Sequence, residues 1–125
     1  MILVDTSVWI DHLRAGDSAL TARLQERMVL AHPFVTGELA LGQLTQRREI
    51  LGLLGNLPQA TVATDIEVLT LIDNFGLAGS GIGYVDAQLL AATRLSADAR
   101  LWTRDRRLAA VAGEHGLAEV SEQGN

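Results

Sequence analysis

A chain of 125 residues with 48% apolar content can bury a continuous core and is too apolar to be a disordered segment, so one domain spanning residues 1–125 is expected. The absence of cysteine excludes a disulfide scaffold and thiolate metal sites, and no apolar run approaches bilayer length, so the expectation is a cytoplasmic protein with no membrane partner. Fifteen acids against ten bases leave a net charge of −5, which argues against a protein that holds nucleic acid by bulk positive charge.

In chain order, residues 2–5 form an apolar run without alternation, which predicts a short buried strand. Residues 7–13 follow as a helix with Thr6 or Ser7 as N-cap. Asp17 or Ser18 can cap a second helix that runs to Arg27, and residues 28–31 read as a second strand stopped by His32 and Pro33. Residues 36–45 and 47–54 read as helical segments, and 55–58 break the chain. Residues 60–63 are a candidate third strand, and Thr64 or Asp65 caps a helix through Asn74. Residues 76–83 carry four glycines and read as a loop. A long helix over 84–95, a fourth strand over 101–103 and a closing helix over 106–114 complete the chain.

Strands that alternate with helices imply parallel pairing and right-handed crossovers. The predicted fold is α/β, a three-layer α/β/α sandwich with a central, mainly parallel sheet of four or five short strands. In such sheets the ligand crevice lies at the carboxyl ends of the strands. Asp5 and Asp105 directly follow predicted strands, Glu38 stands on the first turn of the helix after the second strand, and Asp86 starts a helix after the glycine-rich loop. Four carboxylates therefore reach one sheet edge from four separate passes of the chain.

That residue type suits a hard divalent cation, which prefers oxygen ligands. Two ionised carboxylates ~4 Å apart repel by about 4 kcal/mol at an effective dielectric near 20, so a cluster needs protons or a cation to relieve it. Phosphodiester hydrolysis is a chemistry that such a site could serve, because one or two Mg²⁺ or Mn²⁺ ions activate water and offset charge on phosphate oxygens.

The segments VDTSVWID, FVTGELALG, GYVDAQLLAA and WTRDRRL resemble, in order and nearly end to end, the four acidic motifs of the PIN-domain nucleases, and most closely those of VapC-type toxins from bacterial toxin–antitoxin pairs. The resemblance implies a metal-dependent endoribonuclease with Asp5, Glu38, Asp86 and Asp105 as its catalytic, metal-holding acids. Asp5 and Asp86 match the best-defined ligand positions. It also implies an RNA substrate, a homodimer, and a cognate antitoxin that restrains the toxin, with a basic side chain suited to the acidic site.

Around these acids, Thr6, Ser7 and Thr103 can orient a ligand carboxylate or water, or simply cap helices. Arg104 and Arg106, with Arg107, flank Asp105 and can contact an RNA backbone or form local ion pairs. Every basic residue is arginine, the side chain that grips phosphate through a planar fork. The stretch GSGIG lacks the Lys-Ser/Thr ending of a phosphate loop and reads as a flexible lead-in to the Asp86 helix. His12, His32 and His115 show no metal-ligand spacing and read as helix-surface or loop residues, while Trp9, Tyr84 and Trp102 read as core or interface residues.

Two other classes compete. An aspartyl-phosphate phosphotransfer domain also puts Asp at strand ends, but its phosphatase form wants Asp at position 7, where this chain has Ser, and both forms generally use a late-strand lysine, which this chain lacks. A non-catalytic PIN-like module that binds RNA or protein would keep the fold while its acidic site decayed, yet all four acids are present.

Overall fold

The structure is a computed structural model and describes residues 1–119. Three short parallel strands, β1 (Ile2–Val4), β2 (Val29–Leu30) and β3 (Arg100–Trp102), form a sheet in the order β2-β1-β3. Leu3 pairs with Leu30 on one side and Leu101 on the other, so β1 is central. Its three residues are fully apolar and buried, as a strand covered on both faces requires. Seven helices connect and cover these strands among the described residues: α1 (Thr6–Ala15), α2 (Ser18–Gln25), α3 (Pro33–Leu41), α4 (Arg47–Asn56), α5 (Asp65–Phe75), α6 (Tyr84–Leu95) and α7 (Arg106–Glu114). α3 packs on both α1 and α4, while α6 packs on α5 and β3, which gives the layered α/β arrangement.

Local chemistry explains most boundaries. Asp17 caps α2 by accepting the Leu20 N–H at 3.0 Å. α5 opens with a reciprocal capping box between Thr64 and Glu67 and ends at Gly76, whose φ of 65° suits a residue without a Cβ. The core is lined by Leu3, Val4, Trp9, Leu89, Leu90, Leu101 and Leu108, all buried. No helix among the described residues is long and apolar enough to cross a membrane.

Three expectations change. Among the described residues the sheet has three strands and not four or five, because residues 60–63 do not form one. The Thr61 N–H donates to Ser96 Oγ at 3.0 Å instead of to a neighbouring strand. What survives is a pair of isolated parallel bridges, Ala31 to Gln59 and Leu101 to Ala118, each extending the sheet by one contact. α3 begins at Pro33, three residues earlier than its sequence pattern suggested. Proline costs nothing at the first helical position, and His32 supplies the cap by accepting the Phe34 N–H on Nδ1 at 3.0 Å. Because α3 starts at Pro33, Glu38 lies on its second turn and not its first, and the helix stops at Leu41, where Gly42 turns to extended backbone.

The aromatic and histidine positions are partly corrected too. Trp9 and Trp102 are buried as expected, whereas Tyr84 is exposed, its hydroxyl donating to Asp65 at 3.0 Å and accepting from Gln88 at 3.2 Å. His32 is a buried cap and not a surface residue, and burial pushes its pKa down.

Candidate active site

The site begins where β1 ends. Asp5 is 7% exposed and occupies the N-cap position of α1, yet its side chain caps nothing. Its carboxylate is directed elsewhere: Oδ2 accepts the Ser7 hydroxyl at 2.8 Å and the Thr103 hydroxyl at 2.8 Å. Each hydroxyl in turn accepts a backbone N–H from the turn after β3, Ser7 from Arg104 at 3.0 Å and Thr103 from Asp105 at 3.1 Å. Among the described residues, Oδ1 accepts no hydrogen bond. Oδ1 is also not among the fully buried polar atoms that lack a partner, so it is open to a ligand or water.

Glu38 reaches the same edge from α3, where Oε1 accepts the Thr6 hydroxyl at 2.6 Å. Thr6, Ser7 and Thr103 thus each donate to one of these carboxylates. Asp86 stands on the first turn of α6, with Oδ2 accepting the Gly83 N–H at a long 3.4 Å. Burial raises its pKa, opposed by that N–H, and the negative charges of Asp5, Asp105 and Glu38 raise it further. All four carboxylates therefore share one electrostatic field. Asp105 has a second duty: its Oδ1 caps α7 through the Leu108 N–H at 3.0 Å.

The acids are coupled without being closed into a cage. Among the described residues no three acidic or histidine side chains are gathered tightly enough to enclose an ion. The donor set still fits a hard divalent cation. Mg²⁺ in particular is held by one or two carboxylates with substrate phosphate and retained water, and dedicated protein cages are unusual for it. The open Oδ1 of Asp5 and the destabilised charge on Asp86 are the features a cation would satisfy.

The three arginines around Asp105 separate into different roles. Arg104 is half-buried and paired with Asp11 at 2.6 Å and Asp17 at 2.5 Å. Arg107 lies over the glycine-rich loop and donates to the Gly81 carbonyl at 3.4 Å. Gly81 has φ of 88°, a left-handed conformation that favours glycine, whereas the Arg107 guanidinium a Cβ would meet is the mobile end of a side chain that can move aside. Arg106 is exposed and forms no ion pair among the described residues. The Arg104 pairs were invisible to local sequence reasoning, because Asp11 lies 93 residues away.

The chain matches the family model described as PIN domain over residues 2–114. It is also 52% identical over 122 residues to Ribonuclease VapC32 of Mycobacterium tuberculosis strain CDC 1551 / Oshkosh, covering 98% of both chains. The same figures hold for Ribonuclease VapC32 of strain ATCC 25618 / H37Rv. With acids after β1, on α3, on α6 and in the β3–α7 turn acting on one another through their charges at one edge of a parallel sheet, and a family match running through all of those elements, the chain belongs to the PIN domain family.

Proposed function

We propose that this chain is a divalent-metal-dependent endoribonuclese of the VapC toxin type, a single nuclease domain that acts on RNA in the cytoplasm and is restrained by a cognate antitoxin. The observation that carries this reading is the near full-length identity to proteins named Ribonuclease VapC32, joined to an acidic site whose coupled charges call for a cation. Asp5, Asp86 and Glu38 would hold Mg²⁺ or Mn²⁺, with Asp105 contributing negative charge beside them. When bound, one or two such ions supply activation of water and stabilisation of charge on the phosphate oxygens. Ser7 and Thr103 keep the Asp5 carboxylate in one orientation, and Thr6 does the same for Glu38. The overall reaction is hydrolysis: water adds at phosphorus, the bond to the 3′ oxygen breaks, and a 5′-phosphate and a 3′-hydroxyl remain.

Incubating total cellular RNA with the purified protein tests this. Cuts that require Mg²⁺ or Mn²⁺, stop with chelator and leave 5′-phosphate ends are expected, and mapping the ends names the target. Metal-independent cutting, or ends of the opposite polarity, would reject the reading.

Two partner surfaces support the rest of the proposal. A groove of about 520 Å³ between α1, α3 and α4 is lined by Ile10, Leu13, Leu39 and Ile50 and extends to Glu38, which suits an apolar antitoxin segment ending in a basic side chain. Elsewhere, α5 exposes Ile66 (77%) and Leu69 (57%) three residues apart, and Ile66 lines a shallow cleft with the exposed Leu95 of α6. We assign that face to the homodimer. Sedimentation velocity should find a dimer for the natural chain and a folded monomer for Leu69→Glu, since an exposed substitution costs the monomer only about 0.5 kcal/mol or less. A dimer that persists in Leu69→Glu would move the interface elsewhere.

A further inference from the structure

Arg104 stands between Thr103 and Asp105, on the turn that closes the acidic site. Its guanidinium forks across two helices, one nitrogen donating to Oδ2 of Asp11 in α1 and the other to Oδ2 of Asp17, the cap of α2. Asp17 is itself fixed on both sides: its Oδ1 accepts the Leu20 N–H and its own N–H donates to His12 Nδ1 at 3.0 Å. The guanidinium also lies 5.7 Å from the centre of the buried Trp102 ring. An isolated surface pair contributes little. This one is a three-residue network whose Arg104–Asp17 arm is partly withdrawn from water, at 28% and 17% side-chain exposure, while Asp11 is 48% exposed, so the Asp17 arm is where charge-assisted bonding counts for more. Arg104 correspondingly holds the Asp17 carboxyl below its ordinary pKa, chiefly through the hydrogen bond.

The backbone of the same turn performs a different task. The Arg104 N–H sets the Ser7 hydroxyl, the Asp105 N–H sets the Thr103 hydroxyl, and both hydroxyls donate to one oxygen of Asp5. The side chain of Arg104 anchors the turn to the α1–α2 corner, and the peptide groups of the turn aim the hydroxyls. We propose that Arg104 is a positioning residue, whose clasp on Asp11 and Asp17 holds the 103–105 turn so that Asp5 presents its free oxygen to a divalent cation. This inference rests on the metal-dependent reading above. It also removes Arg104 from the RNA backbone contacts, a role that leaves Arg106 as the exposed candidate.

The experiment uses the full chain and reads Mn²⁺ affinity directly, by calorimetry and by the electron paramagnetic resonance signal of free Mn²⁺, beside RNA cleavage kinetics and melting in chelator. Orienting partners of metal ligands typically change affinity 10–100-fold, so Arg104→Ala should raise the Mn²⁺ Kd by about 10–100-fold. kcat should fall at fixed metal while KM for RNA and the salt dependence of binding stay as in the natural chain. Arg104→Lys, a point charge that cannot fork across both acids, should recover only part of the affinity. Asp17→Asn keeps an oxygen for the α2 cap and loses the charge, so it should weaken Mn²⁺ binding in the same direction, and it carries the test if Arg104→Ala does not fold.

Natural Mn²⁺ affinity in either folded variant would overturn the proposal. So would a raised KM with a salt slope reduced by about one, the signature of a lost phosphate contact. Asp5→Asn run in parallel separates the two levels of inference. Metal-dependent cutting that survives in Asp5→Asn rejects the nuclease assignment itself. An inactive Asp5→Asn alongside natural Mn²⁺ binding in Arg104→Ala and Asp17→Asn rejects only the positioning role.

Discussion

Asp5→Asn will lower metal-dependent RNA cleavage by about three orders of magnitude and leave the fold intact. Both hydroxyls that touch Asp5 donate to Oδ2, and the amide oxygen of asparagine can take that place and accept both bonds. The amide nitrogen then occupies the position of Oδ1, presenting a donor where a cation needs an acceptor. A catalytic cation supplies several kcal/mol of transition-state stabilisation, and each 1.36 kcal/mol is tenfold in rate, so losing it corresponds to about 10³-fold. The fold should tolerate the change because one charge leaves a site where four acids interact. Melting in chelator should be unchanged or raised, and the proton affinity of Asp86, now missing one of the charges that raise it, should fall. Activity within tenfold of the natural chain, with metal dependence retained, would show that Asp5 is not a ligand.

How far the sequence could be read depended on whether the deciding interaction was local. The bounds of α6 and α7 were legible because their signals lie within a few residues: a glycine-rich lead-in before Tyr84, and Asp105 as the cap before Arg106. Asp5, Asp86 and Asp105 stand where their sequence signals put them, at the end of a strand, a loop and a turn, whereas Glu38 lies one helical turn further from its strand because α3 starts at Pro33. The false third strand failed for a nonlocal reason, since Thr61 finds its partner in Ser96, 35 residues on. His32 and Pro33 do end the second strand, but Pro33 is also the first residue of α3, which the sequence pattern began three residues later. The roles of the hydroxyls at Thr6, Ser7 and Thr103 stayed ambiguous in sequence because capping and carboxylate orientation use the same side chains. Only the separation of Thr103 from Asp5, 98 residues in sequence and 2.8 Å in space, distinguishes them. Asp105 shows that the two uses can coexist, since it caps α7 while its charge acts on Asp86.

The acidic site should also control how stability responds to pH and to metal. Asp86 has its pKa raised above the ordinary 3.8, first by burial and then by Asp5, Asp105 and Glu38, against the Gly83 N–H that lowers it. The unfolded chain releases this proton near pH 3.8, whereas the folded chain keeps it to higher pH. Between those limits the unfolded state binds fewer protons, so this group makes stability fall as pH rises, and the loss is complete above the folded pKa. Asp17 acts oppositely: its lowered pKa gives stability that is present above 3.8 and lost as pH falls. The difference between the natural chain and Asp86→Asn cancels Asp17 and isolates the site. Without metal, the two proteins should melt together near pH 3.8 and separate as pH rises, the variant becoming the more stable. Saturating Mn²⁺ should reverse that order at neutral pH. At one hundred times its Kd a bound ion stabilises by about 2.7 kcal/mol, which corresponds to roughly 10 °C in Tm for a domain of this size. Asp86→Asn should lose most of that shift. Parallel pH profiles for the two proteins would mean that Asp86 carries no strained charge, and equal Mn²⁺ shifts would mean that the ion is held without it.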